Sequence, residues 1–111
     1  MITIWHNPRC SKSRETLALL EGRDVQVRLY LEDAPSVTEL KTALVALNLP
    51  AIQVMRTKET EFRELGLSKD DPEDKLLAAM SSHPRLIERP MVFNGDKAAL
   101  GRPPESVLDI L

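Results

Sequence analysis

Cysteine occurs once among the 111 residues. It stands in Trp5-His6-Asn7-Pro8-Arg9-Cys10-Ser11-Lys12-Ser13-Arg14, where an alternating apolar stretch (Ile2-Thr3-Ile4) gives way to a helical pattern carrying Leu17 and Leu20. A cysteine at the start of a helix meets unpaired backbone N–H groups and the positive end of the helix dipole, both of which favour an anion. Arg9, Lys12 and Arg14 add cationic charge, and His6 is close in sequence. Five of the six residues flanking Cys10 are polar or charged (Asn7, Arg9, Ser11, Lys12, Ser13), poor company for a cysteine that packs as a small hydrophobe. The pattern points to a nucleophilic thiolate or an anion site. His6 reads more readily as a hydrogen-bonding scaffold than as an acid or base, and His83 before Pro84 as a helix-end residue.

Three arginines are candidates for holding what the sulfur attacks. Arg89 precedes Pro90 at the start of an apolar strand, where an X-Pro bond is a candidate for the cis isomer; Arg102 follows Gly101; Arg56 follows a short apolar segment. Three guanidinium forks around a soft nucleophile suit a tetrahedral oxyanion. Spacing alone does not bring positions 56, 89 and 102 together. Two histidines and one cysteine show no metal-ligand spacing, and no glycine-rich run precedes a helix to cradle phosphate.

The elements that must position these residues read in order. Val25, Val27, Leu29 and Leu31 alternate with polar partners, predicting a strand over 25–31; with the first strand and helix it makes a βαβ unit. Cys10 then lies at the carboxyl end of strand one, where open α/β sheets keep their ligands. Residues 36 to 83 read as a helical block. It opens with a Ser36-Val37-Thr38-Glu39 capping box, continues with short helices near Ile52–Met55 and Glu59–Leu65, and resumes at Asp71-Pro72, read as N-cap and first helical residue. Met91-Val92-Phe93, Asn94-Gly95 and Lys97 to Leu100 read as a tight antiparallel hairpin. A closing helix would turn Val107, Leu108 and Leu111 inward. The expected fold is α/β and thioredoxin-like: one domain over 1–111, a four-stranded mixed sheet flanked by helices, with a helical insertion over about 36–83 between strands two and three.

Composition narrows the partners. The net charge of −2 gives no global attraction to nucleic acid or anionic membrane. No apolar run approaches the roughly 20 residues of a membrane span, and the N-terminus lacks the basic start and apolar centre of a signal peptide; a cytoplasmic location is expected. With one cysteine no internal disulfide forms, so redox chemistry at Cys10 needs a thiol from another molecule.

Together, the His6-to-Arg14 loop, the Tyr30-Leu31-Glu32 strand end, Glu64-Leu65-Gly66-Leu67, Glu88-Arg89-Pro90 and the closing Gly101-Arg102-Pro103-Pro104-Glu105-Ser106-Val107-Leu108-Asp109-Ile110-Leu111 resemble the glutaredoxin-coupled arsenate reductase family over essentially the whole chain. The resemblance implies that the Cys10 thiolate attacks arsenate to give a sulfur–arsenic(V) adduct. Glutathione, a co-substrate rather than a bound cofactor, then adds, and glutaredoxin completes reduction to arsenite. It carries the catalytic cysteine onto Cys10, the oxyanion-binding arginines onto Arg56, Arg89 and Arg102, and the histidine thought to lower the thiol pKa onto His6. Two departures stand out. Arg9 occupies a position where the best-studied members have a small residue, and the chain stops at Leu111 where they continue. Arg9 with Ser11-Lys12-Ser13 is more similar to the family's housekeeping subgroup. Two other readings stay open: a glutathione-dependent disulfide reductase, which a Cys-x-x-Ser site permits, and a thioredoxin-fold transcriptional regulator binding RNA polymerase, whose Cys-x-x-Cys switch is missing because Ser13 takes the second place.

Overall fold

The structure, a computed structural model, describes residues 1–111. The chain forms two compact units, Met1–Asp33 with Arg89–Leu111, and Ala34–Glu88. The expected helical block lies within the second.

The first unit is built on a four-stranded sheet in the order β2-β1-β3-β4: β1 (Ile2–Trp5), β2 (Val25–Arg28), β3 (Met91–Asn94) and β4 (Lys97–Leu100). β1 pairs in parallel with β2, Ile2 opposite Val25, and antiparallel with β3, Ile2 opposite Asn94; β3 and β4 are antiparallel. This is the mixed, thioredoxin-like sheet expected. Helix α1 (Ser11–Leu19) makes the βαβ crossover. Alternation along β1 puts Ile2 and Ile4 on one face, where they pack with Leu20, Val92 and Val107, each buried aliphatic contributing about 1.5–3 kcal/mol. On the other face the Trp5 and Phe93 rings lie 4.8 Å apart, with the Arg28 guanidinium over Trp5.

Four expectations are corrected. β2 ends at Arg28 rather than Leu31, and Val27, Leu29 and Leu31 are exposed. As an edge strand β2 has only β1 to pair with, and that ladder stops at Trp5 opposite Arg28; the chain then turns, with Glu32 N–H bonding the Leu29 carbonyl. In the hairpin Asn94 belongs to the ladder, opposite Lys97, so the loop is Gly95-Asp96, with Gly95 taking the positive φ of +65° that the turn requires. The closing helix is a 3-10 helix over Pro104–Ile110. Its three-residue turn puts Val107 and Ile110 inward and leaves Leu108 exposed.

The fourth concerns the second unit, formed by α2 (Val37–Leu47), a 3-10 turn at Ala51–Val54, α3 (Thr60–Glu64), α4 (Glu73–Ser82) and a 3-10 turn at Pro84–Leu86. Pro72, not Asp71, occupies the N-cap of α4; the Asp71 carboxylate instead accepts the Ser68 N–H and pairs with Lys75. The Ser36/Glu39 capping box forms, and α2 ends at Asn48 in left-handed conformation. In this unit Leu40, Ala43, Leu44, Ala51, Val54, Met55, Leu76, Leu77, Met80, Leu86 and Ile87 are buried apolar residues. No helix is long and apolar enough to cross a membrane.

Candidate active site

Cys10 is the N-cap residue of α1, in extended conformation. Its N–H bonds the Asn7 carbonyl at 3.0 Å and its carbonyl accepts the Arg14 N–H at 3.0 Å, while Asn7 Oδ1 accepts the Arg9 N–H. These bonds fold Asn7–Cys10 into a tight loop that delivers the sulfur to the first helical turn. Cys10 is 9% exposed, more enclosed than its polar sequence neighbours imply. Burial alone would push the thiol pKa up, but the Ser13 backbone N–H, the charge and hydrogen bond of Arg89, and the Lys12 backbone N–H outweigh it and hold the thiol below its ordinary value.

The cations adjacent in sequence are directed elsewhere. Arg14 donates from Nη1 to the Pro8 carbonyl at 2.9 Å, Lys12 faces Glu15 and Arg9 is exposed. The charge at the sulfur comes from across the sheet. Arg102 Nη2 lies 3.9 Å from Cys10 Sγ and its Nε donates to the Arg89 carbonyl at 2.8 Å. Both Arg89-Pro90, as expected, and Arg102-Pro103 are cis.

Gly101 sets this arrangement. Its N–H bonds the Pro90 carbonyl at 3.0 Å, and a Cβ there would lie 2.4 Å from Thr16 Oγ1 and 2.6 Å from Pro90 Cγ. Neither neighbour gives way easily: the proline is a ring, and fully buried Thr16 is tied through Oγ1 to the Lys12 carbonyl at 2.8 Å. The missing side chain lets the end of β4 close on α1 and on the start of β3, which fixes the backbone that carries Arg102.

His6 closes the site from the end of β1, its N–H bonded to the Arg28 carbonyl at 2.8 Å. Nδ1 lies 2.7 Å from the Oγ of fully buried Ser13, which also accepts the Asn7 N–H at 3.0 Å. With the imidazole neutral and its hydrogen on Nε2, Nδ1 accepts the Ser13 hydroxyl hydrogen. Burial and the Arg14 charge lower the His6 pKa, which favours the neutral ring. His6 therefore reaches Cys10 through Ser13, whose own N–H faces the sulfur, rather than as a neighbouring cation.

Arg56 belongs to the second unit, where its guanidinium pairs with Glu59 at 2.5 Å and its N–H bonds the Leu86 carbonyl at 2.7 Å. The structure thus brings Cys10, His6, Arg89 and Arg102 together within the sheet unit. Sequence reasoning passed over Thr16 and the spatial role of Gly101, named only as the residue before Arg102, and gave Ser13 no hydrogen-bonding role. No group of three or more His, Cys, Asp or Glu side chains is arranged to hold a metal. What remains is a sulfur with a lowered thiol pKa beside two guanidinium groups, suited to nucleophilic attack on a bound oxyanion.

The model of the ArsC family matches residues 5–110. A Haemophilus influenzae protein named arsenate reductase is 50% identical over 114 residues, covering 99% of this chain and 98% of that one. The Escherichia coli protein named uncharacterized protein YfgD is 46% identical, covering 99% and 96%. Among solved structures, the arsenate reductase from Vibrio cholerae superposes with a TM-score of 0.95 at 53% identity, over 99% of this chain and 97% of that one.

Proposed function

This chain belongs to the ArsC family, and we propose on that basis that it is an arsenate reductase-like thiol oxidoreductase in which Cys10 is the nucleophile. The observation that carries the reading is the enclosed Cys10 sulfur, its thiol pKa lowered, with Arg102 3.9 Å away and the Arg89 charge acting on it.

In this reading arsenate is held by the Arg89 and Arg102 forks, with Arg56 as the third arm that the family resemblance assigns. The thiolate attacks arsenic(V) and an oxygen leaves as water, forming the Cys10 S–As(V) bond. Reduction to arsenic(III) takes two electrons. With a single free cysteine the second sulfur is glutathione's, and glutaredoxin resolves the resulting adduct. The balance is arsenate plus two thiols giving arsenite, one disulfide and water. A thiol-reducing compartment such as the cytoplasm supplies both reductants. Ser13 in place of a second cysteine excludes an intramolecular disulfide switch within the Cys-x-x-Ser loop.

The test is arsenate- and glutathione-dependent NADPH consumption in a glutaredoxin-coupled assay, run beside a mixed-disulfide substrate. Cys10→Ser should abolish turnover and keep the wild-type melting curve. Residual arsenate turnover in that variant would refute the nucleophile, and turnover of the disulfide alone would move the function to a disulfide reductase.

A further inference from the structure

Arg9 has no part in holding the sulfur or the oxyanion, yet its backbone is pinned to Asn7 Oδ1 one residue from the nucleophile. Arg9 lines a cavity of about 280 Å³, with His6, Pro8, Leu29, Leu31 and Glu32 among the other walls. That is near the small end of ligand sites, large enough for part of a peptide. Leu29 and Leu31 are 39% and 38% exposed and give it an apolar side. The Glu32 N–H bonds the Leu29 carbonyl, so its backbone is pinned like that of Arg9. Neither the Arg9 guanidinium nor the Glu32 carboxylate takes part in an ion pair. The cavity lining therefore combines one cation and one anion, neither in an ion pair, with apolar wall.

An arsenate-like oxyanion is a poor match, because Glu32 repels it and the guanidinium pair it needs is at Arg89 and Arg102. A zwitterion matches both signs. The chemistry at Cys10 needs an external thiol, and the thiol must reach the sulfur from close by. Consecutive Cα atoms are about 3.8 Å apart and an extended tripeptide spans about 10 Å, so a ligand anchored at Arg9 is within one tripeptide length of Cys10.

We propose that this cavity binds the reducing thiol, a zwitterionic thiol peptide of the glutathione class, with its carboxylate on Arg9, its ammonium on Glu32 and its stem along Leu29 and Leu31. The proposal rests on the reading that an external thiol completes the reaction, and it assigns that thiol a site separate from the oxyanion's.

The test compares wild type with Arg9→Ala and Glu32→Gln. The KM for glutathione rises about three- to tenfold in each variant, the range expected for partly exposed charged contacts, while the KM for arsenate and the Cys10 thiolate titration stay as in wild type. With 2-mercaptoethanol, which carries neither charge, the variants and wild type behave alike. An unreactive probe separates this site from the reductase reading: titration of S-methylglutathione followed by NMR should shift the Leu29, Leu31 and His6 signals, less so in the variants, whether or not arsenate turns over. An unchanged glutathione KM in both variants, or S-methylglutathione shifts confined to other residues, would overturn the proposal.

Discussion

Arg102 touches the nucleophile and braces its partner at once: Nη2 lies 3.9 Å from Cys10 Sγ while Nε donates to the Arg89 carbonyl at 2.8 Å. The two guanidinium-bearing turns are thereby fixed to each other, and the Cys10 sulfur sits in a field set by the Ser13 and Lys12 N–H groups and by guanidinium groups carried on braced turns.

The Cys10 thiol is accordingly expected to titrate below an ordinary cysteine. Arg89→Ala should raise its pKa, with thiolate ultraviolet absorbance and the pH dependence of alkylation as the readouts. The sign for stability follows from the same shift. Because the folded pKa is lowered, the thiolate's contribution is fully present above the unfolded value and is lost as pH falls through the folded one. Cys10→Ser should flatten that part of the stability profile. An ordinary titration in wild type would mean that the Ser13 N–H and Arg89 do not act on the sulfur.

His6 makes the opposite kind of pH statement, since burial disfavours its charged form. The unfolded chain takes up the proton near ~6.5 and the folded protein only at lower pH. Stability should be fullest above ~6.5 and fall as pH drops through the folded value. Urea unfolding at several pH values should show this acid limb in wild type and lose it in His6→Gln. Ser13→Ala leaves the Asn7 N–H and His6 Nδ1 without their partner, at a cost of about 1–3 kcal/mol, and should raise the Cys10 pKa as the first turn of α1 loosens.

At Gly101 the expected cost is steric. Gly101→Ala forces Thr16 or Pro90 to move, worth about 1–3 kcal/mol of stability, and should also displace Arg102 and weaken protection of Cys10 from alkylation by oxyanions. Gly95→Ala gives the contrast: its Cβ meets nothing within 4 Å, so its cost comes from the left-handed backbone alone and the alkylation protection should stay at the wild-type level.

The arginine forks make the sharpest prediction about substrate. In the proposed clamp, lysine would replace the charge of Arg56, Arg89 or Arg102 but not its paired hydrogen bonds. Each Arg→Lys change should therefore cost about 1.5–3 kcal/mol, or roughly one to two powers of ten in kcat/KM for arsenate, with sulfate or phosphate competing at the same place. Arg63→Lys, exposed on α3, should be neutral. Equal effects at all four positions would refute the oxyanion clamp.

Much of this was legible because local signals agreed with global ones. Ser36 and Glu39 spell a capping box, Gly95 marks the hairpin, and Cys10 sits where a short alternating run meets a helical one. What was not legible depends on partners distant in sequence. The length of β2 is set by where β1 ends at Trp5, not by the alternation that continues through Leu31. The charges that matter at Cys10 belong to Arg89 and Arg102, whereas Arg14 spends its hydrogen bond on the Pro8 carbonyl. Gly101 carries no positive φ to betray it; its smallness matters only once α1 and β3 are packed against it.

The pairing of Ile2 with Asn94 fixes the order of events during synthesis. β1, α1 and β2 leave the ribosome early, but the strand that completes the centre of the sheet follows the whole of Ala34–Glu88, and closing so long a loop is slow. Arg89 and Arg102 arrive with that strand and its hairpin. A nascent chain therefore offers Cys10 only the backbone N–H groups of Lys12 and Ser13, and the Arg89 charge that lowers the thiol further arrives when the last fifth of the chain has docked.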